Sequence, residues 1–470
     1  NGLVTETRVK DASGNVKAKS QISYDEVGTY PLLTDVSSTR WENPNTVHRG
    51  NVTSTKSWSD IAANQFVEAR AQYDQLGNPR KSWDARGNLS QVEYSSTYDH
   101  AYATKTTSPI PGGNGSTTAF ETTVVYDYNT GLPTSTTDAN GQTSTMEFND
   151  PLLRPTKVIA PNGHQTITEY GAGTSAATRF VKVRSQIDET NWKEGYTWYD
   201  GLARTIRTQS VDDDGDVFAL SCYDNMSRVS KVTNPFRAFT NQDCSTIAGL
   251  EWTSNTFDTA GRPWKITTPD NAVIETQYSL ATTGGQIGTV VTVKDQALKE
   301  RRSITNALGQ LTRVDEPDNA GQLGSVSAPN QATNYFYNTL GKMVRVQQGV
   351  QNRYFMYDSL GRALRVKQPE QEVNTALNTT GNPDNNSWTA GFAYDNNGNV
   401  LTTTDAKGTT IMSTYDALNR PQTRTYSDGT PTVTNSYDDQ TVPYSKGKLT
   451  KVTSSISETT YTGFDVAGRL

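Results

Sequence analysis

The stretch "YDSLGRALRVKQP" (Tyr357–Pro369) has close copies along the chain. "YDNNGNVLTTTD" starts at Tyr394, "YDALNRPQTRTY" at Tyr415 and "YDQLGNPRKSWD" at Tyr73. The "DxxG" after the aromatic is turn chemistry. Asp can bond its own backbone two residues on, and Gly accepts a positive φ. The runs that follow, "RALRVKQ" and "NVLTTTD", alternate as half-buried strands do. A second turn comes next, as in "DARGN" (Asp84–Asn88), "DANGQ" (Asp138–Gln142), "PNGH" (Pro161–His164) and "DAKGT" (Asp405–Thr409). Another alternating run, such as "TTIMSTY", then leads into the next aromatic. One unit is therefore two strands and two tight turns.

Aligning on the aromatic gives the anchors Tyr24, Tyr73, Tyr94, Tyr126, Phe148, Tyr170, Tyr199, Tyr223, Phe257, Tyr278, Thr305, Tyr337, Tyr357, Tyr394, Tyr415, Tyr437 and Phe464. The shortest gaps are 21 and 22 residues, and longer gaps read as the same unit with a loop inserted. The expected organisation is one continuous array over residues 1–470, of about 17 units. Internal repetition on this scale implies a solenoid-like stack in which each unit contacts its neighbours. Anchors recurring at one position are expected to align as an aromatic ladder. The best helix candidate is "SDIAANQFVEARA" (Ser59–Ala71).

Composition agrees with a wide, thin sheet. Of 470 residues only 33% are hydrophobic, yet there are 23 Tyr, 12 Phe and 8 Trp. Disordered chains are poor in aromatics, and compact two-layer proteins are richer in aliphatics. A net charge of −6 gives no electrostatic case for nucleic acid. No apolar run is long enough for a membrane helix. The chain opens without Met and stops within "GFDVAGRL", so it reads as an internal piece of a longer protein.

With its period near 21, the "YDxxGR" phrase resembles the YD repeat of the Rhs (rearrangement hotspot) family. "YDSLGR" (Tyr357–Arg362), "FDTAGR" (Phe257–Arg262) and "FDVAGR" (Phe464–Arg469) match it best. That family includes bacterial Rhs toxins, shell-forming parts of ABC toxin complexes, wall-associated bacterial proteins and animal teneurins. The resemblance implies an all-β fold, in which tandem hairpins form a spiralling antiparallel sheet that is part of a hollow shell. About 34 strands spaced roughly 4.8 Å apart make a band about 160 Å wide and roughly 23 Å tall. Closed once, such a band is about 50 Å across and one strand high, an arc or single turn rather than a sealed chamber.

Several segments carry residues with chemical potential. His48, His100 and His164 lack neighbours at metal-ligand spacing and read as structural. "VDDDGDVF" (Val211–Phe218) begins like a calcium loop, but Val217 and Tyr223 stand where Gly and Glu are required, so it reads as a second turn. No nucleophile elbow, P-loop or zinc-protease motif is present. Toxin-bearing Rhs proteins often end their shell with a "DPxGL" self-cleavage segment. "DPLLR" (Asp150–Arg154) lacks its Gly and lies in an ordinary repeat, so no catalytic residue carries over. No cofactor or metal is expected. A bond between Cys222 and Cys244 would clip the inserted loop to its own strand in an oxidising compartment; two unrelated free thiols are the alternative.

The leading expectation is a non-enzymatic wall segment of a secreted or cell-surface protein, bacterial in type, that encloses a C-terminal effector of the same polypeptide. The rival is an adhesion or wall scaffold whose loops bind a cell-surface protein or glycan. Its binding patches would centre on an exposed Trp41 and Trp388 and neighbouring Asn residues. Among the inserted loops, "SPIPGGNGSTTA" (Ser108–Ala119) reads as a flexible, projecting stretch.

Overall fold

The computed structural model describes residues 2–37, 42, 48–173, 178–238, 244, 249–283, 286–379, 382 and 385–470. These form 35 β-strands and two short 3₁₀ turns. Each strand pairs antiparallel with the next in sequence, so the chain is a meander of hairpins. One local departure lies at the strand Phe236–Ala238, which pairs with Asp216–Tyr223. In a meander, successive turns alternate between the two sheet edges. All turns that follow an anchor ("first turns") therefore share one edge, and all "second turns" share the other.

The chain divides into two compact units. One comprises Asn1–Ser144, Phe336–Gln347 and Gln351–Leu470; the other comprises Thr145–Tyr335 and Gln348–Val350. The repeat runs through both. The sheet is thin. Among the described residues, buried polar and charged residues are about as many as buried apolar ones. In the second unit the apolar core includes Phe218, Leu220, Val290 and Ile304. Beside it, buried Asp315 is bracketed by Arg302 (Nε–Oδ2 2.6 Å) and Arg313 (Nε–Oδ1 2.7 Å). Arg302 also donates to the carbonyls of Gly324 and Ser325, which ties down the excursion after the strand Leu311–Glu316.

Two sequence expectations give way here. Residues 59–71 are not helical. They run from the end of the strand Val52–Asp60 through the turn at 61–64 into the strand Gln65–Tyr73. Asn64 takes the left-handed φ of 53° that the turn needs, and pairing with both neighbouring strands outweighs the local helix propensity of Ala and Glu. Trp388 is not exposed. It is completely buried, and its indole N–H donates to the carbonyl of Thr379 at 3.4 Å. The excursion between the strands Ala363–Lys367 and Ala390–Tyr394 folds back over the sheet, burying Leu377 and Thr389 with it. Trp41 lies outside the described residues.

Because Trp388 fills a closed site, Trp388→Ala should cost about 3–5 kcal/mol of local stability. Hydrogen exchange at Asn374 and Thr389, whose amides bond across this excursion, should accelerate in the variant. Unchanged exchange there would mean the side chain is not packed as described.

Candidate functional site: the inter-repeat lock and the turn-to-turn seam

Each residue of the repeated phrase has a structural task, seen most fully at Tyr357–Arg362. Tyr357 ends the strand Gln351–Tyr357. The backbone N–H of Asp358 donates to the carbonyl of Arg362 at 3.0 Å, and the N–H of Gly361 donates to the carbonyl of Asp358 at 3.0 Å. One Asp358 oxygen accepts from the amides of Leu360 and Arg362, at 3.0 and 2.8 Å. The other accepts from Arg362 Nε at 2.6 Å. Gly361 sits at φ 79°, where a side chain would strain the backbone. Degenerate copies keep this geometry. Ala203, Ser227 and Asn419 occupy the glycine position with φ of 60°, 65° and 64°.

Most anchors occupy one kind of place, whereas Tyr170 and Tyr278 lie within the strands Gln165–Ala172 and Val273–Thr283, and Phe148 follows the strand Thr143–Glu147. Tyr24, Tyr73, Tyr126, Tyr199, Tyr223, Phe257, Tyr357, Tyr394, Tyr415 and Tyr437 each end a strand at a β-bulge. The bulge absorbs the odd residue of the turn and restores register. Tyr337 ends the strand Gln331–Tyr337. Phe464 follows the last strand, and its Asp465–Arg469 turn closes in the same way. All twelve rings are half-buried.

The rings do not stack directly into a continuous ladder. Instead the arginine of one first turn lies over the anchor of the next unit. Arg204 sits 4.3 Å from the Tyr223 ring centre, Arg228 4.3 Å from Phe257, Arg362 4.9 Å from Tyr394 and Arg420 4.3 Å from Tyr437. Tyrosine hydroxyls close the same link. They donate to the carbonyl of the first strand residue after the preceding first turn: Tyr394 to Ala363 at 2.7 Å, Tyr415 to Val400 at 3.0 Å and Tyr223 to Thr205 at 2.8 Å. A cation over a ring contributes about 0.5–2 kcal/mol depending on its solvation. The link is thus Asp to Arg to the next aromatic.

These carboxylates are committed to the turns. Hydrogen bonds from the Arg228 and Arg262 backbones hold Asp224 and Asp258 below the usual aspartate range. In "DPLLR", the Arg154 side chain holds Asp150 at about 2, and the segment is an ordinary first turn with Arg154 over Tyr170. In "VDDDGDVF", Asp212 is paired with Arg237 and accepts from the Asp214 amide, while Gly215 adopts φ 101°. His100 Nδ1 lies 2.8 Å from the Tyr94 carbonyl.

Within the first unit, second turns of the N-terminal strands dock on first turns of the C-terminal strands. Arg86 donates to the carbonyls of Tyr415 and Asp416 and reaches Asp395 at 3.5 Å. Asn397 donates to Asp84 at 2.7 Å, and the Ser359 amide to the Ser59 carbonyl at 3.1 Å. Asn140 exchanges hydrogen bonds with the Lys446 backbone. The segment 108–119, read from sequence as a flexible projection, is the centre of this seam. Its Pro111, Gly112 and Asn114 carbonyls accept from the Ala417 amide, the Gln422 side chain and the Tyr437 amide. The Ser116 amide donates to buried Asp438 at 3.0 Å. Asp438 also holds Arg420 through both oxygens, at 2.9 and 2.7 Å, and the Gly447 amide at 2.7 Å. Burial works against the Arg420 charge, but the hydrogen bonds to Asp438 and Asp416 outweigh it and raise its pKa. The seam was missed in the sequence because its partners are 300 to 330 residues apart.

Cys222 and Cys244 lie with their sulfurs 2.00 Å apart and their Cα atoms 5.9 Å apart, linking the strand Asp216–Tyr223 to the inserted segment.

The comparisons with known proteins bear on this arrangement. The family described as RHS Repeat matches residues 394–431. No curated protein matches the sequence. The fold is similar to that of the TcdB2-TccC3-TEV crystal structure, with a TM-score of 0.68 and 10% identity over 97% of this chain and 29% of that one. It is also similar to TcdB2-TccC3, with a TM-score of 0.58 and 11% identity over 99% of this chain and 32% of that one. The same complex without its hypervariable C-terminal region gives a TM-score of 0.58, 10% identity, and coverage of 99% and 34%. The chain thus spans about a third of the length of the solved chains it matches.

Asp438 tests the seam. Asp438→Asn leaves the half-buried Arg420 with Asp416 as its one carboxylate partner and should destabilise by about 1–3 kcal/mol. Exchange at the Ser116 and Tyr437 amides should rise together in this variant. Protection unchanged at both sites would show that the carboxylate does not hold the seam.

Proposed function

The chain belongs to the YD-repeat, or Rhs, family, and we propose that it is a non-enzymatic wall segment that helps enclose a C-terminal effector of the same polypeptide. The observation that carries this reading is the seam. A single meander is one strand high, whereas edge-to-edge docking of first and second turns lets the same hairpins build a taller wall. The repeated Asp and Arg residues support a structural role, because each carboxylate is engaged by its own turn. No helix among the described residues is long and apolar enough to cross a membrane. On this reading the parent is a secreted bacterial protein, and residues 1–470 form one continuous array.

The adhesion reading loses its main support, since Trp388 is inside the fold. The Cys222–Cys244 link belongs with export to an oxidising compartment. We propose that it clips the inserted loop and, by loop closure over 22 residues, contributes about 3 kcal/mol.

Two measurements test these readings. In the natural full-length polypeptide, a C-terminal fragment should survive added protease while the shell is intact and be digested once the shell is unfolded. Digestion at equal rates in both states would sink encapsulation. Separately, non-reducing peptide mapping of the exported protein should recover the Cys222 and Cys244 peptides as one linked species. Recovery as two alkylated thiols would remove the clip.

A further inference from the structure

In an Asn–Gly dipeptide the main-chain amide readily attacks the side chain before it, because glycine leaves the nitrogen unhindered and the backbone free to turn. The chain has this dipeptide at Asn1, Asn114, Asn140, Asn162 and Asn397. Three of these residues, Asn114, Asn140 and Asn397, stand in the seam of the first unit. Turn chemistry accounts for the dipeptide itself, since Gly141, Gly163 and Gly398 take φ of 76°, 83° and 88°. It does not account for what each carboxamide touches. Asn162 Oδ1 accepts from the His164 amide, a contact within its own turn. Asn397 instead works between strands far apart in sequence. Its Nδ2 donates to the Asp84 carboxylate at 2.7 Å and to Asn419 Oδ1 at 2.9 Å, and its Oδ1 accepts from the Arg86 amide at 3.1 Å. The contact with Asp84 needs a donor on residue 397. A carboxylate there has none, and Asp395 is close by, accepting from the Asn397 backbone amide at 2.9 Å. The Arg86 guanidinium is already engaged by Asp395 and by the carbonyls of Tyr415 and Asp416. Three carboxylates around one committed guanidinium cannot all be ionised without cost.

We propose that Asn397 is a site of spontaneous deamidation, and that its conversion unlocks the seam and keeps it unlocked. The Gly398 nitrogen attacks Cγ of Asn397. The new C–N bond closes a five-membered imide, the Gly398 amide proton passes to the leaving nitrogen, and ammonia departs. Water then opens the imide at either carbonyl, giving aspartate or isoaspartate. Nothing but water is consumed. In the closed seam the reaction is slow. The Gly398 N–H donates to the Asp395 carbonyl at 3.1 Å, and Asp84 and Asn419 hold the carboxamide that must swing toward it. Opening of the seam frees the carboxamide, so each opening is a chance to react, and the product cannot close again on Asp84. Asn140 is placed in the same way against the Lys446 backbone. Its Nδ2 donates to the carbonyl at 3.1 Å and its Oδ1 accepts from the amide at 2.9 Å, and conversion removes that donor. The chemistry is the same whether or not the wall encloses an effector.

The test uses the natural full-length polypeptide, kept folded at mildly alkaline pH and sampled over time by peptide mapping, with the unfolded chain as reference. Asn162 should convert early in both. Asn397 should convert in both as well, but more slowly in the folded protein, and enzymatic methylation should detect the isoaspartyl product. The converted, still folded fraction is then separated by ion exchange. Hydrogen exchange at the Ser359 and Ala417 amides, which bond across the seam, should be about tenfold faster there than in fresh protein, as expected for the loss of one hydrogen bond to a charged group. Asn397→Asp should reproduce this change, and Asn162→Asp should not. If Asn397→Asp does not fold, the aged wild-type fraction carries the measurement. An Asn397 still intact in the folded protein long after Asn162 has fully converted would overturn the proposal. So would protection at Ser359 and Ala417 in the converted fraction equal to that of fresh protein.

Discussion

The structure depends on the aspartate that follows most anchors, replaced by asparagine at Asn306 and Asn338. Its carboxylate is an acceptor placed where a turn has unpaired amides. One oxygen takes two backbone N–H groups, which closes the turn without help from the rest of the fold. The other oxygen takes the guanidinium four residues on, which fixes a long, flexible side chain in one orientation. That orientation delivers the cation to the ring of the next unit. A strictly local device thereby becomes the link between units.

A wall made this way needs little hydrophobic core. Units contribute capped turns, bulges at most anchors and, in several, a cation–ring contact, and their sum grows with the number of units. This accounts for a chain that is rich in aromatics yet poor in aliphatics. It also explains why Tyr is preferred to Phe at the anchor. The hydroxyl reaches back to a carbonyl of the preceding unit, as Tyr394 does to Ala363, and Phe257 keeps only the cation contact.

What could be read from the sequence follows the range of each interaction. Turns, strands and period were legible because Asp, Gly and Arg act within five residues. The partner of that arginine was not, although its place in "YDxxGR" held the signal: a ladder of rings was expected, and a cation stands between them. Segments 59–71 and 108–119 misled for opposite reasons. The first has Ala and Glu in helical density, but pairing on both sides makes it a hairpin. The second has the Gly and Ser of a linker, and its backbone carbonyls are seam acceptors. Trp388 sat among Asn residues that suggested a surface loop, and only the folded excursion shows that it is enclosed.

The seam also constrains how the wall tolerates change. A substitution at a solvent-facing strand position disturbs one unit, because its partners are adjacent. Asp438 is different. It joins a turn of its own unit, the arginine of the preceding unit and a backbone amide of segment 108–119. Removing it breaks a lateral link and a seam contact at once. Seam residues should therefore couple energetically across about three hundred positions of sequence, whereas two first turns on distant strands should be additive. The length of the repeat sets how the sheet grows sideways. The few residues that break the repeat, the Pro–Gly–Gly segment above all, decide where one edge meets another.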